Sequence, residues 1–193
     1  NDQRNMSADG SRYNVYALPA ESPNHGPRQL ITDPANLEAS PFGWHDTDGV
    51  DGAEYTITRG NNVFAYEDSD GTNNPGYSPD GGANLEFDFP INLSGQANSY
   101  YDASITNLFY INNMMHDIWY NYGFDEVSGN FQQNNYGNGG APTDYVNAEA
   151  QDGSGTNNAN FATPPDGQSG RMQMFLWSPS TAPEILTIPS GSL

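Results

Sequence analysis

His25, His45 and His116 are the 3 histidines of this chain, and with 24 acidic side chains they bound the chemistry it can perform. A zinc hydrolase supplies two or three His or carboxylate ligands, commonly as His-Glu-x-x-His on one helix, because positions i and i+4 share a face. That motif is absent. His116 precedes Asp117 and lies eleven positions beyond Ile105, roughly 20° away around a helical axis. It therefore points with an apolar stripe and reads as a core histidine bonded to backbone or carboxylate, ahead of a metal ligand. His45 stands in the aromatic turn Phe42-Gly-Trp-His-Asp46, where packing accounts for it, and His25 reads as exposed in a Pro-Gly loop. There is no Gly-x-Ser-x-Gly elbow to activate a serine, and no glycine-rich loop followed by Lys to cradle phosphate. Cysteine is also absent, which excludes disulfides, thiolate metal sites and a Cys nucleophile.

Two acidic turns offer hard oxygen ligands. Asp46, Asp48 and Asp51 alternate with Gly49 and Gly52, and Asp68 and Asp70 precede Gly71. Side-chain oxygens spaced along a tight turn suit calcium as a structural stabiliser. Neither turn has EF-hand spacing, since Val50 and Thr72 occupy the fifth position and no closing Glu follows. Both readings, solvated turn and calcium loop, stay open at this point.

The wider charge balance narrows the partners. Five basic residues, all Arg, face 24 acidic ones, for a formal net charge of −19. A chain this acidic presents no cationic face to nucleic acid or anionic lipid. Nor does any stretch approach the roughly 18 apolar residues of a membrane span. Aromatic content of 12% separates the chain from disordered acidic sequences. A polar, Asn- and Gly-rich composition with this acidity is expected of a secreted, extracellular protein.

These candidate groups need elements to hold them. Residues 1–12 read as a disordered polar leader. Pro19, Pro23 and Pro27 exclude helix in the following segment, which reads as extended. Short strands are expected at residues 54–58 and 63–66, and Leu85, Phe87 and Phe89 alternate with Glu86 and Asp88 at the period of a half-buried strand. Residues 102–122 contain neither Gly nor Pro and space their apolar side chains to one side, which predicts a long amphipathic helix. Ser99 is its expected N-cap and Gly123 its C′ residue. Beyond it, residues 145–150 read as a strand, Asp152-Gly-Ser-Gly155 as a turn, and residues 157–163 with 171–177 as a hairpin. Residues 178–193 read as a linker. The fold class expected is α+β, a β-rich lobe with one long helix.

Across residues 13–177 the chain resembles the first half of the catalytic domain of the fungalysin family of zinc metallopeptidases. The resemblance rests on Ser40-Pro-Phe-Gly-Trp-His-Asp46, Arg59-Gly-Asn-Asn62, Pro75-Gly-Tyr-Ser-Pro-Asp-Gly81, Asn107-Leu-Phe-Tyr110, Met115-His-Asp117, Tyr120-Asn-Tyr-Gly-Phe124 and Gly129-Asn-Phe131. Above all it rests on the long run Gln151-Asp-Gly-Ser-Gly-Thr-Asn-Asn-Ala-Asn-Phe-Ala-Thr-Pro-Pro-Asp-Gly167. The family is similar to thermolysin-like zincins, whose second, helical lobe carries the zinc ligands and the general base. The resemblance implies that zinc is held outside this chain, and that the chain alone is inactive. It implies a polypeptide substrate lying along residues 157–161: Asn158 holding substrate amides through its side chain, the Ala159 carbonyl accepting from the leaving amine, and backbone at Asn160 and Phe161 lining the unprimed side. The expected partner is the remainder of the same catalytic domain, as a separate chain after cleavage. A second reading is a non-catalytic, calcium-stabilised β-rich binding or adhesion module in which Trp44, Tyr66 and Tyr77 stack on sugars.

Overall fold

The computed structural model describes residues 8–178. In β1 (Arg12–Val15), Tyr13 and Val15 are buried while Arg12 and Asn14 are half-buried, the period-2 alternation of a strand with one covered face. It pairs antiparallel with β2 (Gln29–Thr32), matching Tyr13 to Ile31, and parallel with the two-residue β4 (Glu86–Phe87). Between them in sequence comes β3 (Val63–Glu67), which joins a second sheet in the spatial order β3-β5-β7-β6. Here β5 is Val146–Thr156, β6 Ala159–Ala162 and β7 Arg171–Leu176. The α+β class expected from the sequence is the class observed.

The helix α1 (Tyr101–Asn121) packs on β1, β3 and β5. On the sheet side the helix meets Ala65, Ala148 and Ala150, whose single methyl groups leave room for a helix, with Ile105 and Phe109 filling the interface. The ring of Tyr13 stacks 5.2 Å from Phe87 and tilts 5.5 Å from Trp44. His45 lies in this aromatic layer, fully buried, 5.3 Å from Phe87 and 5.1 Å from Phe109. Its Nδ1–H donates to the Arg59 carbonyl at 3.0 Å, so Nε2 accepts from the Tyr13 hydroxyl at 2.7 Å. Burial lowers the His45 pKa, which keeps the ring neutral in the core. Packing explains His45, as its aromatic surroundings in the sequence indicate.

Asp117, 3% exposed, gathers the loop before β3 onto α1. Its carboxylate accepts from the Asn36 amide at 2.9 Å, the Ser40 hydroxyl at 2.8 Å and the Trp44 indole N–H at 2.9 Å. Asn62, at the start of β3, donates to Ser40 Oγ and to Asn113 Oδ1, both at 3.1 Å. Loop, strand and helix thus share one buried polar network.

The structure corrects several expectations. Ser11 and Arg12 belong to the fold and not to a leader: Ser11 is buried, and Arg12 pairs in β1 with Thr32 and Glu86. Residues 1–7 of that leader, and residues 179–193 of the linker, lie outside the described residues. Residues 54–58 form no strand; only an isolated bridge joins Ile57 to Asp80. The helix N-cap is Tyr100, because Ser99 closes a 3₁₀ turn over residues 97–99 and its hydroxyl donates to Gln96 O. Asp152-Gly-Ser-Gly155, read as a turn, lies within β5, where residues 153–155 bulge out of register between the pairs Asp152–Phe175 and Thr156–Leu176. Gly123 does follow the helix, at φ 94°.

Replacing Asp117 by Ala strands four buried or half-buried groups at once, His116 Nδ1 among them. Asp117→Ala is expected to destabilise the protein by about 3 kcal/mol or more, read from the shift in chemical denaturation midpoint.

Candidate functional site

Strand β6 is built as an exposed ledge. All four of its residues are exposed, and β7 is its neighbour on one side with no strand beyond it among the described residues. It is reached from β5 through Asn157, at φ 55°, a conformation Asn tolerates better than most residues. Asn157 holds that corner with its own groups: its N–H donates to Leu176 O at 2.8 Å, and its side-chain oxygen accepts from Ser178 N at 2.6 Å.

The register decides which backbone groups of β6 face outward. Phe175 N–H donates to Asn158 O, and Asn147 N–H on β5 donates to Gly170 O. Gly170, just before β7, and residues 172 and 174 within it therefore turn their main chain to β5, and 171, 173 and 175 turn theirs to β6. With Asn160 opposite Gln173 and Ala162 opposite Arg171, the main chain of Asn160 is committed to β7. Ala159 and Phe161 direct their N–H and C=O groups to the free edge. The Phe161 ring, 5.7 Å from Phe131, anchors the ledge from below.

Beneath the ledge runs an apolar groove of about 500 Å³ between α1 and the second sheet. Leu108, Ile111, Met115, His116 and Trp119 line it from the helix, and Val63, Val146, Phe161, Met172 and Met174 from the strands. Met115, Trp119, Phe124 and Met174 are 37–51% exposed, an unusual amount of large apolar surface for one groove. His116 borders it, with Nδ1 bonded to Asp117 Oδ1 at 2.9 Å and Nε2 facing Asn130 Nδ2 at 3.3 Å. Of the two partners expected for His116, backbone or carboxylate, the structure supplies the carboxylate.

Of the candidate calcium ligands, the structure brings Asp46 and Asp48 together with Glu54, and Asp68 together with Glu149 and Asp152. Asp51 and Asp70 join neither group. Asp46 is pushed up to about 6 by burial, against the opposing hydrogen bonds from Tyr136 and Gly49 N. The Tyr136 hydroxyl donates to Asp46 Oδ1 at 2.8 Å, and its pKa is raised in turn by burial and by that carboxylate. Burial likewise raises Asp68. No histidine belongs to either group, and His25 is exposed. The described residues therefore do not assemble a His-containing zinc site. Trp44 and Tyr66, candidates for stacking on sugars, are 0% and 1% exposed and serve the core; of the three, Tyr77 alone is exposed. Among the described residues no helix is long and apolar enough to cross a membrane.

A mixed sheet with a bare edge at β6, above an open groove lined from α1 and the strands, makes the described residues an α+β lobe. Residues 12–185 match the Fungalysin metallopeptidase (M36) family. The chain belongs to that family. It is 51% identical over 172 residues to "Probable extracellular metalloproteinase 5" of Trichophyton verrucosum, covering 86% of this chain and 26% of that protein. It is 47% identical to "Extracellular metalloproteinase 5" of Arthroderma otae, with 94% and 28% covered. It is 51% identical to "Extracellular metalloproteinase mep" of Aspergillus flavus, with 87% and 26% covered. The chain thus spans little more than a quarter of the length of these relatives.

The raised Asp46 pKa carries a sign. Its carboxyl binds a proton more tightly folded than unfolded, so this group adds stability as pH falls from about 6 towards 4, and the contribution is gone above pH 6. In chelator, the thermal midpoint of Asp46→Asn relative to the unmodified protein should fall between pH 7 and pH 4.5. A constant difference across that range would contradict the assignment.

Proposed function

We propose that this chain is the substrate-rim part of a secreted zinc endopeptidase, with zinc and the general base supplied by the rest of the polypeptide. The observation that carries the reading is β6, an exposed edge strand within the residues that match the family. A peptide offers alternating N–H and C=O groups, and strand addition to a free edge satisfies them in register. The Ala159 carbonyl accepts from the leaving amine, and the Phe161 main chain holds the unprimed side. Asn158 offers a donor and an acceptor on one side chain and fixes substrate amides. Asn160 contributes its side chain, because its backbone serves β7. A bound zinc ion would polarise the scissile carbonyl and supply the attacking water; the groups of this chain bind and orient the peptide.

The same reading assigns an occupant to the groove. The remainder of the catalytic domain, whether as a separate chain after cleavage or as one continuous chain, packs its apolar surface against Ile111, Met115 and Trp119. Relatives more than three times as long supply the missing mass, and the extracellular location in their names agrees with the polar, acidic composition.

In the whole enzyme, Asn158→Ala is expected to lower kcat/KM tenfold to a hundredfold, about 1–3 kcal/mol of transition-state binding, with zinc content unchanged. Unchanged peptide turnover would remove Asn158 from the site. Met115→Gln is expected to destabilise the whole protein by about 2 kcal/mol and the isolated chain, where Met115 is 39% exposed, by clearly less. Equal effects in both, by thermal unfolding, would mean that nothing covers the groove.

A further inference from the structure

We infer that Asp68, Glu149 and Asp152 form a binding site for a divalent cation, calcium by its oxygen-only chemistry, on the face of the second sheet opposite α1. One oxygen from each residue lies within 4.8 Å of the others, and all three side chains are buried, Asp68 being 1% exposed and the other two 0%. Three carboxylates in a dry site repel one another strongly unless a cation or protons balance them.

The protein supplies only part of that balance. Arg171 pairs with Glu149 Oε1, which also accepts from the Tyr66 hydroxyl at 3.0 Å. Asp152 Oδ2 accepts from Gln173 Nε2 at 2.6 Å, and Oδ1 from the Ser154 amide and hydroxyl at 2.7 and 2.5 Å. Asp68 accepts from the Thr72 and Asn73 amides at 3.1 and 3.0 Å. One guanidinium against these three carboxylates, with Asp70 beside Asp68, leaves an excess of negative charge that a divalent cation would offset. The independent pointer is Glu149 Oε2, which is fully buried and has no hydrogen-bond partner. A buried carboxylate oxygen left bare is costly, and a cation among these groups is the ligand that satisfies it. The ligand set, carboxylate oxygens without nitrogen or sulfur, suits calcium and disfavours zinc.

The sheet is shaped to make this cluster. Glu149 and Asp152 are three residues apart, so a regular strand would put them on opposite faces. Gln151, at φ 52°, is an extra residue in β5: Ala150 pairs with Met174 and Asp152 with the next residue, Phe175. The bulge returns Asp152 to the face of Glu149 and sends Gln151 the other way, where its amide donates to Ala97 O and Ser104 Oγ. A cation held there joins the 68–73 loop to β5, and through Gln173 to β7, the strand that supports β6. This inference does not rest on the peptidase reading.

The test uses the whole protein carrying Asp46→Asn, so that the other acidic group is disabled, after treatment with a calcium-selective chelator that leaves zinc in place. Adding calcium alone is expected to raise the thermal midpoint by several degrees. Calorimetry on Asp152→Asn, and separately on Glu149→Gln, should show one calcium equivalent fewer than the parent, or binding at least tenfold weaker at that equivalent. Asp152→Asn keeps its hydrogen bonds if the Gln173 amide rotates, so it remains informative if Glu149→Gln fails to fold. Equal calcium stoichiometry and affinity in parent and Asp152→Asn would overturn the site. So would a Glu149→Gln protein that is more stable than the parent in chelator and whose midpoint calcium does not move relative to the parent, the behaviour of a shared proton.

Discussion

The carboxylate of Asp117 is the point on which the geometry of this lobe turns. A carboxylate removed from water must recover its solvation from donors, and it draws them here from Asn36, Ser40 and Trp44. Those residues come from one irregular segment, so satisfying a single charge fixes a long stretch of loop against the helix. Trp44 and its neighbour His45 are thereby delivered to the aromatic layer around Tyr13 and Phe87. The preceding residue on α1, His116, bonds to the same carboxylate and borders the groove. Core and groove are consequently held by opposite sides of one network.

The second sheet uses a different device. Its exposed edge would invite unwanted pairing if it were long or flat, but β6 is four residues and ends in the Pro164-Pro165 turn. Its outward-facing main chain alternates with main chain bound to β7, which limits strand addition to the groups of Ala159 and Phe161. A short edge of this kind offers little to another sheet.

Much of this was legible in the residues. The absence of Gly and Pro over residues 102–122, with a one-sided apolar pattern, marks the helix to within one position of Tyr101–Asn121. Met172 and Met174 against Gln173 give the facing of β7, and the bare Asn-Asn-Ala-Asn run, known through the family resemblance, gives the ledge. What escaped was set by contacts distant in sequence. Asp117 next to His116 looks like a partner for histidine; that it serves Trp44, 73 residues away, follows only from the packed fold. Glu149 and Asp152 have the wrong spacing for one strand face, and the bulge at Gln151 that corrects it leaves no compositional mark. The acidic turns drew the eye to Asp51 and Asp70, yet the structure recruits Glu54 in one group and two residues of β5 in the other. Residues 54–58 carry strand-forming types, but find only one bridge with which to pair.

The spatial order β5-β7-β6 differs from the order of synthesis. When residues 159–162 leave the ribosome, the strand that supports them has yet to be translated, because Arg171–Leu176 comes later and must slide between two segments already made. The edge of β6 thus has no supporting strand until Arg171–Leu176 is in place. An edge displayed early would be a template for nascent segments; the strand order defers that surface until β7 has been made.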